Sequence, residues 1–248
     1  MRLAVFSDVH SNPFALRAVL ADVAVWRADL LLCAGDVFGY YPWAQETFEM
    51  LHGLTLRTVL GNHDELVRDT LLHADARPAS PPPYFEAAAQ NGRALSVEAR
   101  EWLHALPTQL ELNLAGRRIR MVHGTPDDLL EGRFYPDNTC LFPWFPGAGE
   151  ILILGHTHHP IVREFAGGGL LINPGSVGQP RDGDPRPSWI ALEVTAAKEC
   201  RAELRRVNYD TSGPMALLRE MNWPPRFIAA LNKTTPGPLE NAPSRDSE

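Results

Sequence analysis

Side chains of metal-ligating types follow apolar runs at five separate points along this 248-residue sequence. The five stretches are Asp8-Val9-His10, Gly35-Asp36, Gly61-Asn62-His63-Asp64, His123-Gly124 and Gly155-His156-Thr157-His158. Each stretch alone is explained more simply by a turn, a helix cap or a structural histidine. Chance does not explain why carboxylate, imidazole or amide groups follow all five runs. The set therefore predicts one site built where several strands end.

The mixture of donors indicates which metals such a site would bind. Imidazole, carboxylate and amide groups without thiolate suit Mn, Fe, Zn, Ni or Co, and exclude an iron–sulfur cluster. The candidates outnumber the ligands of one tetrahedral ion, so we predict two ions about 3.5–4 Å apart, bridged by an aspartate. Alternation along an extended backbone would turn His156 and His158 to one side and offer one imidazole to each ion.

The elements that position these residues alternate between strand and helix in the first third of the chain. "RLAVFSD", "DLLLCAGD" and "LRTVLGNHD" are predicted strands, and two amphipathic helices connect them. Asn12 would cap the first helix, with Pro13 in its first turn. This order predicts a parallel sheet covered on both faces, with the polar clusters at the carboxyl ends of its strands.

The second half of the chain contains mostly strand patterns. "QLELNL" and "RRIRMVHG" flank a turn at Ala115-Gly116, and further strands follow up to "CRAELRRV". A proline-rich loop, "ARPASPPPYF", and a helical stretch broken near Gly92 separate the two halves. We predict an α/β domain over residues 1–232, in which a second sheet packs against the first, and a disordered tail over residues 233–248.

Composition narrows the functional classes. The chain has a formal net charge of −7, which disfavours long nucleic acids as partners. No apolar run of about eighteen residues is present, so no membrane span is predicted. Three cysteines without paired spacing suit a reducing, cytoplasmic setting. Nothing in the sequence predicts an oligomeric state.

The five stretches, in this chain order, resemble the motifs of the calcineurin-like metallophosphoesterases: Asp-x-His, Gly-Asp, Gly-Asn-His-Asp/Glu, a separate His, and Gly-His-x-His. The resemblance extends from Arg2 to about Val207. The sequences "GDVFGYYP", "HGTPDD" and "NPGSVGQPRDGDPRPSW" further resemble the compact bacterial phosphodiesterase-like branch. The resemblance implies a four-layer αββα sandwich, with two central mixed β-sheets flanked by helices.

The resemblance also implies a role for each residue of the motifs. Asp8, His10 and His158 would hold one metal, Asn62, His123 and His156 the other, and Asp36 both. The metals would be two divalent transition-metal ions, with Mn expected and Fe, Zn, Ni or Co as alternatives. His63 would face the scissile phosphate, and Asp64 would orient the ring of His63.

The implied reaction is hydrolysis of a small or nucleotide-like phosphodiester by a hydroxide held between the metals, assisted by His63. Alternatives with the same site are a phosphomonoesterase, a phosphoprotein phosphatase and a dinucleoside polyphosphatase. A non-catalytic binding scaffold is an alternative of another class, and the intact ligand set argues against it.

Two further residues are candidates for substrate binding. Arg181 could approach the substrate anion as a bidentate donor, or could be an ordinary surface arginine. Asn12 could contact phosphate, or could serve only as a helix cap. The segments 64–106 and 126–149 bracket the predicted site, and we predict that they shape substrate choice.

Overall fold

The computed structural model describes residues 1–72, 84–195 and 199–233. The strands are β1 (Arg2–Phe6), β2 (Leu30–Cys33), β3 (Leu56–Thr58), β4 (Gln109–Leu114), β5 (Arg117–Val122), β6 (Glu150–Ile153), β7 (Pro160–Glu164), β8 (Leu170–Pro174), β9 (Ser188–Val194) and β10 (Cys200–Arg206). The helices are α1 (Pro13–Trp26), α2 (Ala44–Leu51), α3 (Asn62–Leu72), α4 (Phe85–Ala94), α5 (Val97–His104), α6 (Ser212–Glu220) and α7 (Pro225–Ala230).

The strands form two mixed sheets of five strands each, as predicted. The first sheet has the order β10-β9-β1-β2-β3, and the second has the order β4-β5-β6-β8-β7. Strands β1, β2 and β3 pair in parallel, as their order along the chain predicts. The late strands β9 and β10 return to the first sheet and pair antiparallel, so the second half of the chain supplies strands to both sheets.

Strand β1 shows why its sequence is apolar at every buried position. Leu3 and Val5 point into a core shared with the second sheet, where Ile119 and Ile153 meet them. Between them, Ala4 faces the opposite core, which contains residues of helices α1 to α5. Because the side chains of a strand alternate between its faces, burial on both sides requires a continuous apolar run.

The outer face of the second sheet is covered by a segment rich in aromatic residues. Phe134 packs against Phe142 and Trp144 with ring centroids 5.9 Å and 5.7 Å away, over Leu152 and Leu171 of the sheet. This packing explains the aromatic and proline-rich composition of the segment, which the sequence leaves open.

Two features differ from the sequence predictions, and two predicted segments lie largely or wholly outside the described residues. Helix α4 runs through Gly92 and ends at Ala94, because Gly92 lets helix α3 approach closely, with Leu71 about 3.1 Å from the position of a Cβ atom. Helix α7 was not predicted from the sequence. The proline-rich loop falls largely in residues 73–83, and the predicted tail beyond residue 233 also lies outside the described residues. No helix within the described parts of the chain has the length and apolarity needed to cross a bilayer.

Candidate functional site

The polar stretches of the sequence converge beyond the carboxyl ends of strands β1, β2, β3, β5 and β6. We call the seven side chains predicted to bind metal the floor: Asp8, His10, Asp36, Asn62, His123, His156 and His158. Six of the seven are buried, and Asn62 is partly buried at the start of helix α3. The structure therefore brings together every residue that the sequence analysis assigns to metal binding.

The floor divides into two groups with one residue between them. In the first group, His158 Nε2 lies 3.1 Å from Asp8 Oδ1 and 3.0 Å from His10 Nε2. The ligand atoms of these three residues all lie within 4.8 Å of one another.

In the second group, Asn62 Oδ1 lies 3.1 Å from His123 Nε2 and 3.2 Å from His156 Nδ1. Asp36 lies between the two groups, with its Oδ2 3.3 Å from His123 Nε2 and 3.7 Å from His10 Nε2. A carboxylate in this position can reach both groups at once.

The backbone of the floor is strained in a consistent way. Five floor residues, Asp8, His10, Asp36, His156 and His158, have φ between 51° and 66°. This left-handed region costs a non-glycine residue about 1–2 kcal/mol. Strain of this kind clusters at functional sites, where the surrounding structure holds it in place. The strain therefore indicates that the positions of these side chains are functionally constrained.

The same φ values overturn one sequence prediction. His156 and His158 were expected to share a side through alternation along an extended backbone. The segment after β6 is instead a loop in which both residues are left-handed. His156 still joins the second group and His158 the first, but turns of the backbone direct them there.

Glycines beside the floor permit close approach of the backbone, as predicted from their positions in the sequence. A Cβ atom on Gly61 would lie 2.1 Å from Asp36 Oδ1, and one on Gly155 would lie 2.4 Å from Ser7 Oγ. A larger residue at either position would displace the Asp36 carboxylate or separate the two sheets at the site.

The floor fits bound cations. Asp8 is fully buried, and neither of its carboxylate oxygens accepts a hydrogen bond of sound geometry from the described residues, although His158 Nε2 lies 3.1 Å from Oδ1. A buried carboxylate without such hydrogen bonds is unfavourable, whereas a coordinated cation compensates it. The donors are imidazole, carboxylate and amide groups, the set that suits divalent transition metals.

The electrostatics of the floor agree with this fit. Burial disfavours protonation of His123, but the Asp36 carboxylate outweighs that effect and raises the pKa of His123 to about 10. Burial likewise opposes ionisation of Asp36, yet His123 and His63 hold the pKa of its carboxyl well below the usual range. A protonated histidine thus supplies the positive charge that the carboxylates require, and bound divalent ions would supply it instead.

His63 lies next to the floor and lines the cavity above it. Its backbone N–H donates to Asp36 Oδ1 at 2.8 Å, which fixes its position at the start of α3. Its Nδ1 is buried without a hydrogen-bond partner. Burial lowers the pKa of His63 to about 4, so the imidazole is neutral at pH 7. One ring nitrogen of His63 also lies within 4.8 Å of ligand atoms of His10 and Asp36, so its position alone does not separate it from the ligands.

Asp64 does not orient the ring of His63, contrary to the sequence prediction. Its carboxylate accepts hydrogen bonds from the backbone N–H groups of Val37 at 3.2 Å, Phe38 at 2.8 Å and Gly61 at 3.1 Å. Burial, followed by the charge of Asp36, raises the pKa of the Asp64 carboxyl. Asp64 therefore ties the loop after β2 to the loop after β3, and so holds Asp36 and Asn62 in register.

A cavity of about 740 Å³ opens above the floor, a volume suited to a ligand much larger than phosphate. Tyr84, from the predicted shaping segment 64–106, lines one side. Glu131, Arg133 and Tyr135, from the segment 126–149, line another. Both segments therefore reach the cavity, and their influence on substrate choice stays a prediction.

Arg181 lines the cavity and is partly buried. Its Nη2 donates to Tyr40 Oη at 2.9 Å and to Gln179 Oε1 at 3.1 Å. The Tyr40 ring packs 4.2 Å from the His10 ring and 4.4 Å from the His63 ring, measured between centroids. Arg181 is thus held beside the floor, where a substrate anion would meet it.

Asn12 serves as a helix cap and not as a substrate contact. Its Oδ1 accepts from the backbone N–H of Ala15 at 3.1 Å, which caps α1. Its Nδ2 donates to the backbone oxygen of Gly178 and to Tyr209 Oη, at 3.3 Å each. Asn12 is fully buried and is not among the residues that line the cavity, so we withdraw it as a candidate for substrate binding.

Two groups of cavity residues were missed from the sequence. Asn62 Nδ2 donates to Glu131 Oε1 at 3.1 Å, and Arg133 Nε lies 3.2 Å from His156 Nε2. These contacts join the loop after β5 to the second group of the floor. In the sequence these two residues are visible only as a charged pair, Glu131 and Arg133, in "EGRFYPD". Such pairs are usually solvated surface residues, so they do not predict a site.

The second missed group is the α7 wall, which we define as Arg226, Phe227, Ala229, Ala230 and Lys233. The wall is anchored beside the floor in two ways. Trp223 Nε1 donates to the backbone oxygen of Tyr40 at 2.9 Å, and the Phe227 ring lies 5.4 Å from the Tyr40 ring. No motif marks this short helix, because "PPRFIAALNK" has no capping residue or periodic pattern long enough to predict one.

Comparison with known proteins identifies a family, one sequence relative and two similar solved structures. The calcineurin-like phosphoesterase superfamily domain matches residues 1–197. An uncharacterised protein of Methanocaldococcus jannaschii is 31% identical over 228 residues, which cover 84% of this chain and 88% of that protein. A metallophosphoesterase from Sphaerobacter thermophilus superposes with a TM-score of 0.73 at 27% identity, covering 95% of this chain and 99% of that one.

A hypothetical protein from Pyrococcus horikoshii OT3 superposes with a TM-score of 0.79 at 19% identity, covering 95% of this chain and 99% of that one. At this identity the likeness concerns the fold alone. Helices α6 and α7 lie after the last residue that the superfamily domain matches.

Proposed function

Because the chain belongs to the calcineurin-like phosphoesterase superfamily, we propose that it is a dimetal-dependent phosphodiesterase that acts on small or nucleotide-like substrates. The observation that carries this proposal is the convergence of the seven floor side chains at the base of one cavity. A scaffold without catalysis has no need for this complete set of buried ligand-type side chains.

The two groups of the floor correspond to two metal positions. Asp8, His10 and His158 would hold one ion, Asn62, His123 and His156 the other, and Asp36 would contact both. When bound, two divalent ions, of which we favour Mn, lower the pKa of water and neutralise charge on the phosphoryl group.

His63 would assist from the cavity side of the floor. A neutral imidazole can donate one N–H hydrogen bond to a phosphoryl or leaving-group oxygen. The negative charge of a bound phosphate raises the pKa of a neighbouring histidine, so binding of substrate would favour the protonated form that donates a proton to the leaving oxygen. Asp64 would contribute by holding the loops and not by contacting His63.

The size of the cavity supports a diester as substrate. Its volume of about 740 Å³ greatly exceeds that of a phosphate group, so it has room for substituents on the scissile phosphate. A phosphodiester carries two substituents that need such space, whereas a monoester carries one. Arg181 would orient the substrate by donating to a non-bridging oxygen.

The test is hydrolysis of bis-p-nitrophenyl phosphate and p-nitrophenyl phosphate by protein stripped with chelator and reloaded with Mn²⁺. We expect metal-dependent cleavage of both, with the diester preferred. A preference for the monoester would replace the phosphodiesterase by a phosphomonoesterase with the same site. Absence of cleavage by protein that binds no metal would favour the scaffold.

A further inference from the structure

The cavity is lined by an excess of cationic residues, although the chain as a whole has a negative formal charge. Four of its lining residues are cationic, namely Arg133, Arg181, Arg226 and Lys233, in a chain of formal net charge −7. The acidic residues among those that line it are Asp36, which belongs to the floor, and Glu131. The lining residues therefore carry an excess of positive charge, which attracts anionic ligands.

Arg181 is held in place by two side-chain hydrogen bonds. Its hydrogen-bond partners, Tyr40 Oη and Gln179 Oε1, are neutral oxygens. No carboxylate of the described residues lies within 4.0 Å of its guanidinium group. A partly buried arginine that is held in place and lacks an acidic partner is preorganised for an anionic ligand.

Arg226 and Lys233 belong to the α7 wall, on the same side of the cavity as Tyr40. The wall is held against the loop after β2 by Trp223 and by the hydrogen bond from Tyr41 Oη to the backbone oxygen of Phe227 at 3.3 Å. The Arg226 Cζ atom lies 4.7 Å from the centroid of the Phe227 ring, so the ring supports the guanidinium group. Arg226 is therefore presented to the cavity by an anchored helix, and Lys233 follows the end of this helix by three residues.

Arg133 has a different environment. It lies in the loop after β5 beside Glu131, and its Nε contacts His156 of the floor. The other three cations are grouped around Tyr40: Arg181 donates to Tyr40 Oη, and Phe227 of the α7 wall, which includes Arg226 and Lys233, packs on the Tyr40 ring. We call Arg181, Arg226 and Lys233 the cationic wall. Arg226 and Lys233 both follow residue 197, the last that the superfamily domain matches, so they are not part of that shared match.

We infer that the cationic wall binds a second phosphate of the substrate. The substrate class is then a nucleotide-sized phosphoester with at least one phosphate besides the scissile one, which fits a cavity of about 740 Å³. This inference rests on the proposed function, because it names the substrate class of the same site. Arginine guanidinium groups match phosphate with paired hydrogen bonds, and lysine adds a point charge.

The experiment measures binding instead of turnover. Titration calorimetry on the full, Mn²⁺-loaded protein compares thymidine 5′-monophosphate, thymidine 5′-diphosphate and thymidine 3′,5′-bisphosphate, with chromatography afterwards to show that each nucleotide is intact. We expect at least one of the two bisphosphorylated nucleotides to bind about 10- to 100-fold more tightly than the monophosphate, since charge-assisted hydrogen bonds to a second phosphate add to affinity.

The variants Arg181→Gln and Arg226→Gln/Lys233→Gln are expected to reduce that preference to less than about 3-fold. Arg219→Gln removes an exposed arginine on the neighbouring helix α6 and is expected to leave the preference unchanged. Thermal unfolding of each variant identifies any that fails to fold, and the two sets of substitutions provide independent tests.

Two results would overturn the inference: equal affinity for all three nucleotides, or a preference that survives in both variants. The outcome is separate from that of the proposed function, which is decided by hydrolysis of bis-p-nitrophenyl phosphate. Protein that cleaves this diester but shows no gain from a second phosphate retains the proposed function and loses the cationic wall as a phosphate site.

Discussion

The floor of the cavity and its α7 wall differ in burial, in backbone strain and in what surrounds them. Asp8 and His158 are 0% and 1% exposed and have left-handed backbones, and the ends of both sheets enclose them. Arg226 and Lys233 are exposed and belong to a six-residue helix or the turn that follows it. The floor is fixed by the core of the fold, whereas the wall is attached to it through a few aromatic contacts.

This difference suggests that the two regions have different functions. Side chains whose positions are set by both sheets cannot vary without loss of the site, which suits metal binding and chemistry. Side chains on an attached helix can vary without disturbing the core, which suits substrate selection. Substitutions on the floor should therefore affect metal content and rate together, and substitutions at the edges should affect metal or substrate affinity alone.

The largest effect is expected for Asp36→Asn. This change removes the carboxylate charge that lies between the two groups of the floor, so we expect loss of at least one metal and a fall in kcat of at least about 10⁴-fold. Metal content by mass spectrometry and hydrolysis of bis-p-nitrophenyl phosphate measure both. The control is Asp69→Asn, an exposed residue of helix α3. Two bound metals together with a near-normal rate would remove Asp36 from its proposed position between the ions.

His63→Ala tests whether His63 is a metal ligand or a group that acts on the substrate. We expect both metals to be retained and kcat to fall by about 10²- to 10⁴-fold, because a group that assists proton transfer is lost while the ligands persist. His104→Ala, at the exposed end of helix α5, is the matched control. Loss of a metal from the His63→Ala variant would instead make His63 a ligand, as its distance from His10 and Asp36 allows.

Glu131 is exposed, like the cations of the α7 wall, yet it contacts a floor residue. By accepting from Asn62 Nδ2 it turns Asn62 Oδ1 toward His123 and His156. We expect Glu131→Ala to weaken the affinity for the more weakly bound metal by about 10-fold. This is a small effect for a residue that orients a metal ligand, because Glu131 is solvated.

Titration of Mn²⁺ into chelator-stripped protein measures this affinity. Glu131→Gln keeps an acceptor oxygen and should restore most of it, and Glu220→Gln, an exposed residue of helix α6, should have no effect. If Glu131→Ala binds both metals like the wild type, the orientation of Asn62 depends on the floor alone.

The floor could be predicted from the sequence because each part of it is local. Every floor residue lies within five residues of the end of a strand, and parallel strands bring their carboxyl ends to one edge. The sequence did not predict the backbone conformations and hydrogen bonds that orient these side chains. The left-handed backbone at His156 and His158, and the hydrogen bonds of Asp64 to three backbone N–H groups, depend on neighbouring loops.

The α7 wall could not be predicted because its residues are ordinary in sequence. Arg226 and Lys233 look like solvated surface cations, and Glu131 with Arg133 looks like a surface pair. Tertiary packing brings them to a common cavity: Trp223 and Phe227 pack the α7 wall against the loop that contains Tyr40. Contacts with Asn62 and His156 position Glu131 and Arg133. Short helices that are stabilised by packing lack the periodicity from which longer helices are recognised.

Tyr40 lies where floor and wall meet, and Tyr40→Phe gives the smallest and most selective effect. Burial raises the pKa of Tyr40 to about 12, so its phenol is protonated throughout the working range and accepts the Arg181 hydrogen bond as a neutral oxygen. The substitution removes this acceptor but keeps the ring against His63. We expect KM for bis-p-nitrophenyl phosphate to rise by about 2- to 10-fold, the value of one hydrogen bond, with kcat and metal content unchanged.

Tyr209→Phe, which removes a hydroxyl outside the cavity, is the matched control. A fall in kcat without a change in KM would mean that Tyr40 affects the rate through its contact with His63. Tyr40 would then act with the floor and not with the residues that select substrate.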